Sequence, residues 1–425
     1  MVDHAPTVPT DTRSPPAGRG VDGPHEVWCI GASRLGDVAV FGATDPEVSR
    51  QVVETVRRFV AREVMPVASD LEHADEYPEA IVEQMKALGL FGVAVPEEHG
   101  GLGLDLLTYA SIVEELSYGW MSLSGVVNTH TIVVSLLVAH GTEEQKRRWL
   151  PRLATGEIRG ALSLSEPDAG SDTRNISCRA ELDGDEYVVT GTKAWVTNGL
   201  RAGLVALAAR TPEGVSCLMV EKEPGHHFGG ITVGRDVAKM GYRGVETVEM
   251  VYDGHRVPAD CLLGDPGRGL GYILSALELG RINIAARAVG VARAAFDAAL
   301  RYARDRHTFG RPIAEHQAIQ IKIADMATKL EAARLLTRNA AERRQAGERV
   351  DVEAGMAKLF ASETALEIAT EAMRIHGGIG YTTDLPIERY YRDAPLMIIG
   401  EGTNEIQRLV IARGLLRRAD EADGR

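Results

Sequence analysis

The chain has 425 residues, too many for one small domain and enough for two or three packed units. With 44% hydrophobic and 25% charged residues it has ordinary globular composition, and 47 Lys plus Arg against 60 Asp plus Glu leave a net charge of −13. An acidic surface excludes a nucleic-acid binder, and the longest nearly apolar run, Thr131 to Ala139, is about half a bilayer span, so no membrane segment is expected.

Residues 1–24 are polar, rich in Pro and Gly, and include Asp3 and Asp11, which predicts a mobile tail. That start lacks the apolar stretch of a secretion signal and the acid-poor basic helix of a transit peptide. Cys29, Cys178, Cys217 and Cys261 are scattered without a C-x-x-C pair, so neither zinc nor a disulfide scaffold is expected. The default is a reduced, cytoplasmic protein without a metal. Val27 to Ile30, followed by Gly31 and Gly36, suggests a surface strand or ordered arm. Asp37 stands where a phosphate loop would need Lys.

From Thr44 the pattern becomes helical. Thr44 and Glu47 have capping-box spacing around Pro46, and Val48, Val52, Val56, Phe59 and Val60 recur at helical period. Ile81, Val82, Met85 and Leu88 mark a second helix, ended by Gly89 or Gly92. Leu106 to Tyr118 and Ile132 to Ala139 are further helices, and Thr142 with Gln145 opens another. From Ala161 the runs turn short and β-prone: Tyr187 to Val189, Leu204 to Ala206, Leu218 to Val220 and Val248 to Tyr252. After Gly271 the helical period returns at bundle length. The expected class is α+β: an arm over 1–44, a helical domain over 45–160, a β domain over 161–266 and a four-helix-bundle domain over 267–425.

Four stretches carry chemistry. Leu162-Ser163-Leu164-Ser165-Glu166 through Ser171-Asp172 is a strand running into a turn rich in N–H groups and hydroxyls, suited to a flavin edge and a phosphate. In Lys193 to Gly199, a strand places Trp195 and Thr197 on one face, so a planar ring would stack on the indole while the hydroxyl bonds it. Asp305 to Arg311, with His316 and Gln317, sets two arginines around an aromatic, as a pyrophosphate and adenine require; the bland alternative is a solvated helix end. Last come His376 to Tyr381 and Gly400-Glu401-Gly402-Thr403-Asn404-Glu405. There Glu401 sits between glycines beside apolar Leu396 to Ile399, where burial would raise its pKa.

Together with Pro96-Glu97-Glu98 and Gly100-Gly101-Leu102-Gly103, these motifs resemble the acyl-CoA dehydrogenase family over about Thr44 to Leu416. The resemblance implies FAD at the junction of the β domain and C-terminal helices, shared across subunits of a homotetramer. It places Leu162, Leu164, Ser165 and Ser171 along the flavin, with Trp195 and Thr197 on its opposite side. Arg306, Thr308, Phe309 and Gln317 would reach a neighbouring subunit's FAD, with Arg374, Gly377 and Gly378 beside its pyrophosphate, and Thr403 and Glu405 closing the site. Glu401 falls on the base position, which removes the α-proton while the β-hydride passes to flavin N5. Ser171, Glu278, Arg281, Gly400 and Gly402 would lie near the acyl-CoA or carrier-protein thioester. An electron-transfer flavoprotein or similar acceptor would reoxidise the flavin.

Three positions depart from the family pattern. Gln is usual where Arg374 stands, and a Tyr often precedes the base where Gly400 stands. Relatives that take their base from another helix carry it just before the Arg corresponding to Arg281, and that position is Gly280 here. Glu278 and Arg281 have a bland alternative as a helix-end ion pair. Rival functions on the same fold are an oxygen-using monooxygenase or oxidase of a specialised pathway, and a non-catalytic assembly protein.

Overall fold

The structure is a computed structural model, and it describes residues 40–423. The tail, the Val27 to Ile30 strand and Cys29 lie outside the described residues.

Six helices come first: α1 (Pro46–Phe59), α2 (Ala68–Ala74), α3 (Glu79–Ala87), α4 (Leu106–Gly119), α5 (Met121–His140) and α6 (Glu143–Ala154). The α1 cap is Asp45 rather than Thr44. The Asp45 carboxylate accepts from Glu47 N and Val48 N, while Thr44 Oγ1 is taken by Asp105 N at 2.7 Å. At α6 the expected capping box forms, with Thr142 and Gln145 exchanging backbone and side-chain bonds. α3 stops at Gly89, which takes φ +73°, a value that suits glycine.

α5 corrects the sequence expectation. It starts at Met121, ten residues before the apolar run, and is long and apolar enough to cross a bilayer. Its most apolar 18-residue window is wholly buried inside the molecule, so it is a core helix. Met121 to His130 escaped the apolar criterion because Ser122, Ser124, Asn128 and His130 are polar, yet all four are buried.

An eight-stranded sheet follows: β1 (Gly160–Ser163), β2 (Arg179–Asp183), β3 (Glu186–Thr197), β4 (Leu204–Thr211), β5 (Gly214–Glu221), β6 (His227–Phe228), β7 (Ile231–Val233) and β8 (Thr247–Pro258). Their order is β1-β4-β2-β3-β8-β7-β6, with β5 paired to β4. β1 lies parallel to β4, and the long β3–β8 ladder is antiparallel. β4 and β5 are buried along nearly their whole length, which explains their unbroken apolar runs.

The last region opens with α7 (Gly269–Asp305), then the hairpin β9 (His307–Thr308) and β10 (Arg311–Pro312). α8 (Gln317–Gln345), α9 (Asp351–His376), α10 (Ile387–Ile399) and α11 (Asn404–Ala422) complete it. α7 and α9 pack closely on each other, and both bury many small residues, among them Ala285, Ala288, Ala292, Ala357, Ala361 and Ala365. Small side chains let two long helices approach closely. The packing of α10 and α11 on α9 brings the loop between them, which holds Glu401, against α7 and α5.

Candidate active site

Glu401 occupies the two-glycine loop between α10 and α11 and takes φ +55°, strained for a residue with a Cβ. Gly402 follows at φ +86°. The loop is clamped from α9 by Lys358, a fully buried ammonium. Its Nζ donates to Ile398 O at 3.0 Å, Gly402 O at 2.9 Å and Asn404 Oδ1 at 2.7 Å. Burial pulls that ammonium down to about 8. Thr403 caps α11, its Oγ1 accepting from Ile406 N.

The Glu401 side chain points inward. Oε1 accepts from Asn128 Nδ2 of α5, while Oε2 is buried with no partner. Gly280 on α7 makes the room, because a Cβ there would collide with Glu401 Oε2. The space beside Gly280 is thus filled by the Glu401 carboxylate from the other loop. Burial raises the Glu401 carboxyl above its ordinary range, against the pull of Arg287, the Asn128 bond, Lys358 and Arg281. Asn128 Oδ1 and Arg281 Nε are also buried without partners. Such orphaned groups are what a polar ligand would satisfy.

Glu278 and Arg281 are not a helix-end ion pair. Both lie inside α7 and attract each other without closing a hydrogen bond, and burial raises Glu278 and lowers Arg281. Gly400 ends α10 with its N–H bonded to Leu396 O at 2.7 Å. A Cβ there would meet that oxygen at 3.3 Å, a tight contact with backbone.

The β-domain residues form a separate cluster. β1 leads into the turn at Leu164 and Ser165, which Glu166 anchors through Ser177 N at 2.6 Å, Cys178 N at 2.9 Å and Lys193 Nζ at 2.9 Å. Burial pushes Glu166 up, but the bonds from Ser177, Lys193 and Cys178 outweigh it and hold it low. Ser165 O accepts from Ala194 N at 2.9 Å, joining the turn to β3. Leu164 is buried, Leu162, Ser165 and Thr197 are half-buried, and Ser171 is exposed.

Trp195 departs from the expected strand geometry. The β3–β8 register slips between Lys193 and Val196, and Trp195 takes φ +61°. A bulge therefore re-aims the indole, and the alternation that would put Trp195 and Thr197 on one face does not hold. The indole is 64% exposed.

A third cluster lies at the far end of α7. Arg306, Phe309 and Gln317 are exposed, and Phe309 reaches 96% exposure at φ +53°. Thr308 Oγ1 bonds His316 Nε2 at 3.0 Å. The ring of Tyr302, near the end of α7, stacks on His376 at 4.3 Å, just before Gly377 and Gly378. Arg374 pairs with Glu371, so a phosphate would compete with that carboxylate. Glu405 is exposed. Among the described residues, no hydrogen bond, ion pair or ring contact joins this cluster to the Trp195 cluster.

The residues fit the cofactor that the motifs imply. Trp195 and Phe309 offer open aromatic faces, and a Cβ on Gly377 or Gly378 would meet nothing within 4 Å. Three family models cover the chain: acyl-CoA dehydrogenase N-terminal domain over 46–157, middle domain over 161–255 and C-terminal domain over 267–416. The chain belongs to the acyl-CoA dehydrogenase family. It is 41% identical over 378 residues to the human mitochondrial short-chain specific acyl-CoA dehydrogenase, covering 88% of this chain and 91% of that protein. The solved butyryl-CoA dehydrogenase of Megasphaera elsdenii is 33% identical with a TM-score of 0.84, over 88% of this chain and 99% of that one. The prolyl acyl carrier protein oxidase AnaB is 32% identical with a TM-score of 0.83, over 88% and 100%. Membership makes this chain an FAD-dependent oxidoreductase that dehydrogenates acyl-CoA thioesters.

Asn128 and Lys358 were missed by motif reasoning. Lys358, in Met356-Ala357-Lys358-Leu359, looks like any solvated helix lysine, and only its full burial marks it.

Proposed function

We propose that this acyl-CoA dehydrogenase introduces a double bond between the α and β carbons of an acyl thioester, with Glu401 taking the α-proton. The observation that carries this reading is the Glu401 carboxylate, desolvated, fixed at Oε1 by Asn128 and unpartnered at Oε2. A thioester α-proton is weakly acidic, and a desolvated, oriented carboxylate is the base its removal needs. Bound FAD supplies the two-electron acceptor, which takes the β-hydrogen as hydride. Leu162, Leu164, Ser165, Ser171, Trp195 and Thr197 would hold it from one subunit. Arg306, Thr308, Phe309, Gln317, Arg374, Gly377, Gly378, Thr403 and Glu405 would hold it from another. Ser171, Glu278, Arg281, Gly400 and Gly402 would line the thioester and pantetheine.

The assembly we propose is a homotetramer. Supporting it are exposed apolar side chains in the last region, Phe309, Tyr381, Ile399 and Leu416. An electron-transfer flavoprotein is the proposed acceptor, and the cytoplasm the proposed compartment, which suits the unpaired thiols of Cys178, Cys217 and Cys261. A second reading, a carrier-protein-bound acyl group, draws on the likeness to the prolyl acyl carrier protein oxidase.

Anaerobic mixing of the yellow protein with acyl-CoA and acyl-carrier-protein thioesters tests both readings. Bleaching of the flavin by a CoA thioester supports the first, and bleaching by carrier thioesters alone supports the second. If no saturated thioester bleaches it, desaturation is wrong.

A further inference from the structure

A second buried charge lies on the helix face that meets Glu401. Gly280, Asn283 and Arg287 follow one another at i, i+3 and i+7 along α7 and so share one face. Gly280 is where that face touches the Glu401 carboxylate. Arg287 is 3% exposed, and its acceptors are all neutral: Asn283 Oδ1 at 2.6 Å, Tyr242 Oη at 3.3 Å and Ser124 O at 3.4 Å. Asn283 is itself fixed by donating to Tyr109 Oη at 2.7 Å. Among the described residues, no carboxylate lies within ion-pair distance of Arg287. Arg159 and Arg293 do close such pairs, with Glu79 at 3.1 Å and with Glu115 at 2.6 Å, whereas Arg389, also 3% exposed, bonds only Ser69 Oγ and Gly119 O. A buried guanidinium without an anion is costly, so its charge must be met at longer range.

Glu401 is the carboxylate that this face of α7 meets, at Gly280. Among the charged groups acting on the Glu401 carboxyl, Arg287 exerts the largest pull, ahead of Lys358 and Arg281. Bonds join Arg287 to Tyr242 and, through Asn283, to Tyr109, and the charges of both Arg287 and Glu401 act on these two tyrosines. We infer that Arg287 is the fixed counter-charge of Glu401, a positioning residue that keeps the base ionised between turnovers. This inference rests on the reading of Glu401 as the base.

The physical logic is a balance of two opposed effects. Burial favours the protonated carboxyl, whereas a nearby cation favours the carboxylate. Lys358 spends its N–H groups on the loop backbone, and Arg287 spends its own on neutral oxygens, leaving its charge uncompensated. When the α-proton passes to Glu401, its bonding electron pair stays with the substrate and the carboxylate charge disappears. Arg287 then opposes the proton's stay, which returns the base to its working form. The groups facing Glu401 are Arg281 and Arg287 from α7, Lys358 from α9, Tyr109 from α4, Tyr242 from the loop before β8 and Asn128 from α5, with Glu405 following on α11. Of these, Arg287 alone is a guanidinium bonded at three points to neutral groups only.

The test uses FAD-loaded Arg287→Gln and Arg287→Lys enzymes. Anaerobic stopped-flow flavin reduction by the best thioester is followed from about pH 5 to 9. In the Gln variant the acid limb of the rate should move up by roughly one pH unit or more, so the pH 6 rate falls about tenfold further than the pH 9 rate. The Lys variant keeps the charge and should keep the limb within about 0.3 unit of wild type. A purely structural role would slow both pH extremes equally and leave the limb in place, and that result in a folded Gln variant overturns the inference. If the Gln variant does not fold, the Lys variant decides, because a limb displaced by about a full unit with the charge retained also overturns it. Glu401→Gln run alongside separates the two readings. An active Glu401→Gln enzyme removes the base assignment, whereas an inactive one beside an unmoved Arg287→Gln limb removes only the counter-charge.

Discussion

The Glu401 loop and the segments around Trp195 and Phe309 are built on opposite principles. Around Glu401 the chain supplies everything itself: a clamp from Lys358, an amide from Asn128, space from Gly280 and a buried cation in Arg287. Around Trp195 and Phe309 the backbone is equally strained, both residues having positive φ, yet the rings lie open at 64% and 96% exposure. The contrast separates two kinds of preorganisation. A proton-transfer group must be desolvated before substrate arrives, so one chain's own packing holds it. A large planar cofactor brings its own surface, so its aromatic contacts wait exposed for it.

Four measurements would break or sharpen that contrast, and the largest effect belongs to the base. Glu401→Gln should slow anaerobic flavin reduction by about 10²–10⁴-fold while FAD stays bound. Reduction within a few-fold of wild type would move the base elsewhere. Lys358→Met removes the clamp and leaves Ile398 O, Gly402 O and Asn404 Oδ1 short of a donor. We expect about 3–5 kcal/mol less stability in urea unfolding, together with slower flavin reduction. A variant of wild-type stability would show that the loop holds itself.

The third concerns His130, two residues beyond Asn128 on α5. It is fully buried, with Nε2 3.1 Å from Phe91 O and Nδ1 accepting from Gly160 N at 3.2 Å. Burial lowers it from 6.5 to about 4. Between those values the unfolded chain binds a proton that the fold refuses. Stability present above pH 6.5 is therefore lost as pH falls toward about 4, by roughly 3 kcal/mol. His130→Asn should flatten that slope, and an unchanged slope would place the acid sensitivity elsewhere. The smallest effect is expected at the open end. Trp195→Ala should weaken FAD binding by about 1–3 kcal/mol in cofactor titration, with the melting temperature of the FAD-free protein nearly unchanged because the indole is exposed. A large loss of FAD-free stability would show that the ring belongs to the fold.

Much of this was legible along the chain, in proportion to how local each cause is. The capping box at Thr142, the stop at Gly89, the short β-prone runs and a carboxylate set between two glycines depend on neighbours a few residues apart, so the sequence by itself determined them. Thr44 and Asp45 show where that ends. Both are good caps, and the choice fell to Asp45 because Asp105, 61 residues on from Thr44, claims the threonine hydroxyl. The same holds for the start of α5, whose polar residues look solvent-facing until the surrounding helices and sheet enclose them. It holds for the bulge at Trp195, set by the register against β8, and for the partners of Glu401. Asn128 lies 273 residues away from Glu401, and the burial of Lys358 and Arg287 follows only from the packing of α7 on α9 and α5. Which carboxylate we propose as the base was thus written locally. Its ionisation, orientation and clearance were decided by tertiary structure, because desolvation and charge act through space and no spacing along the chain encodes them.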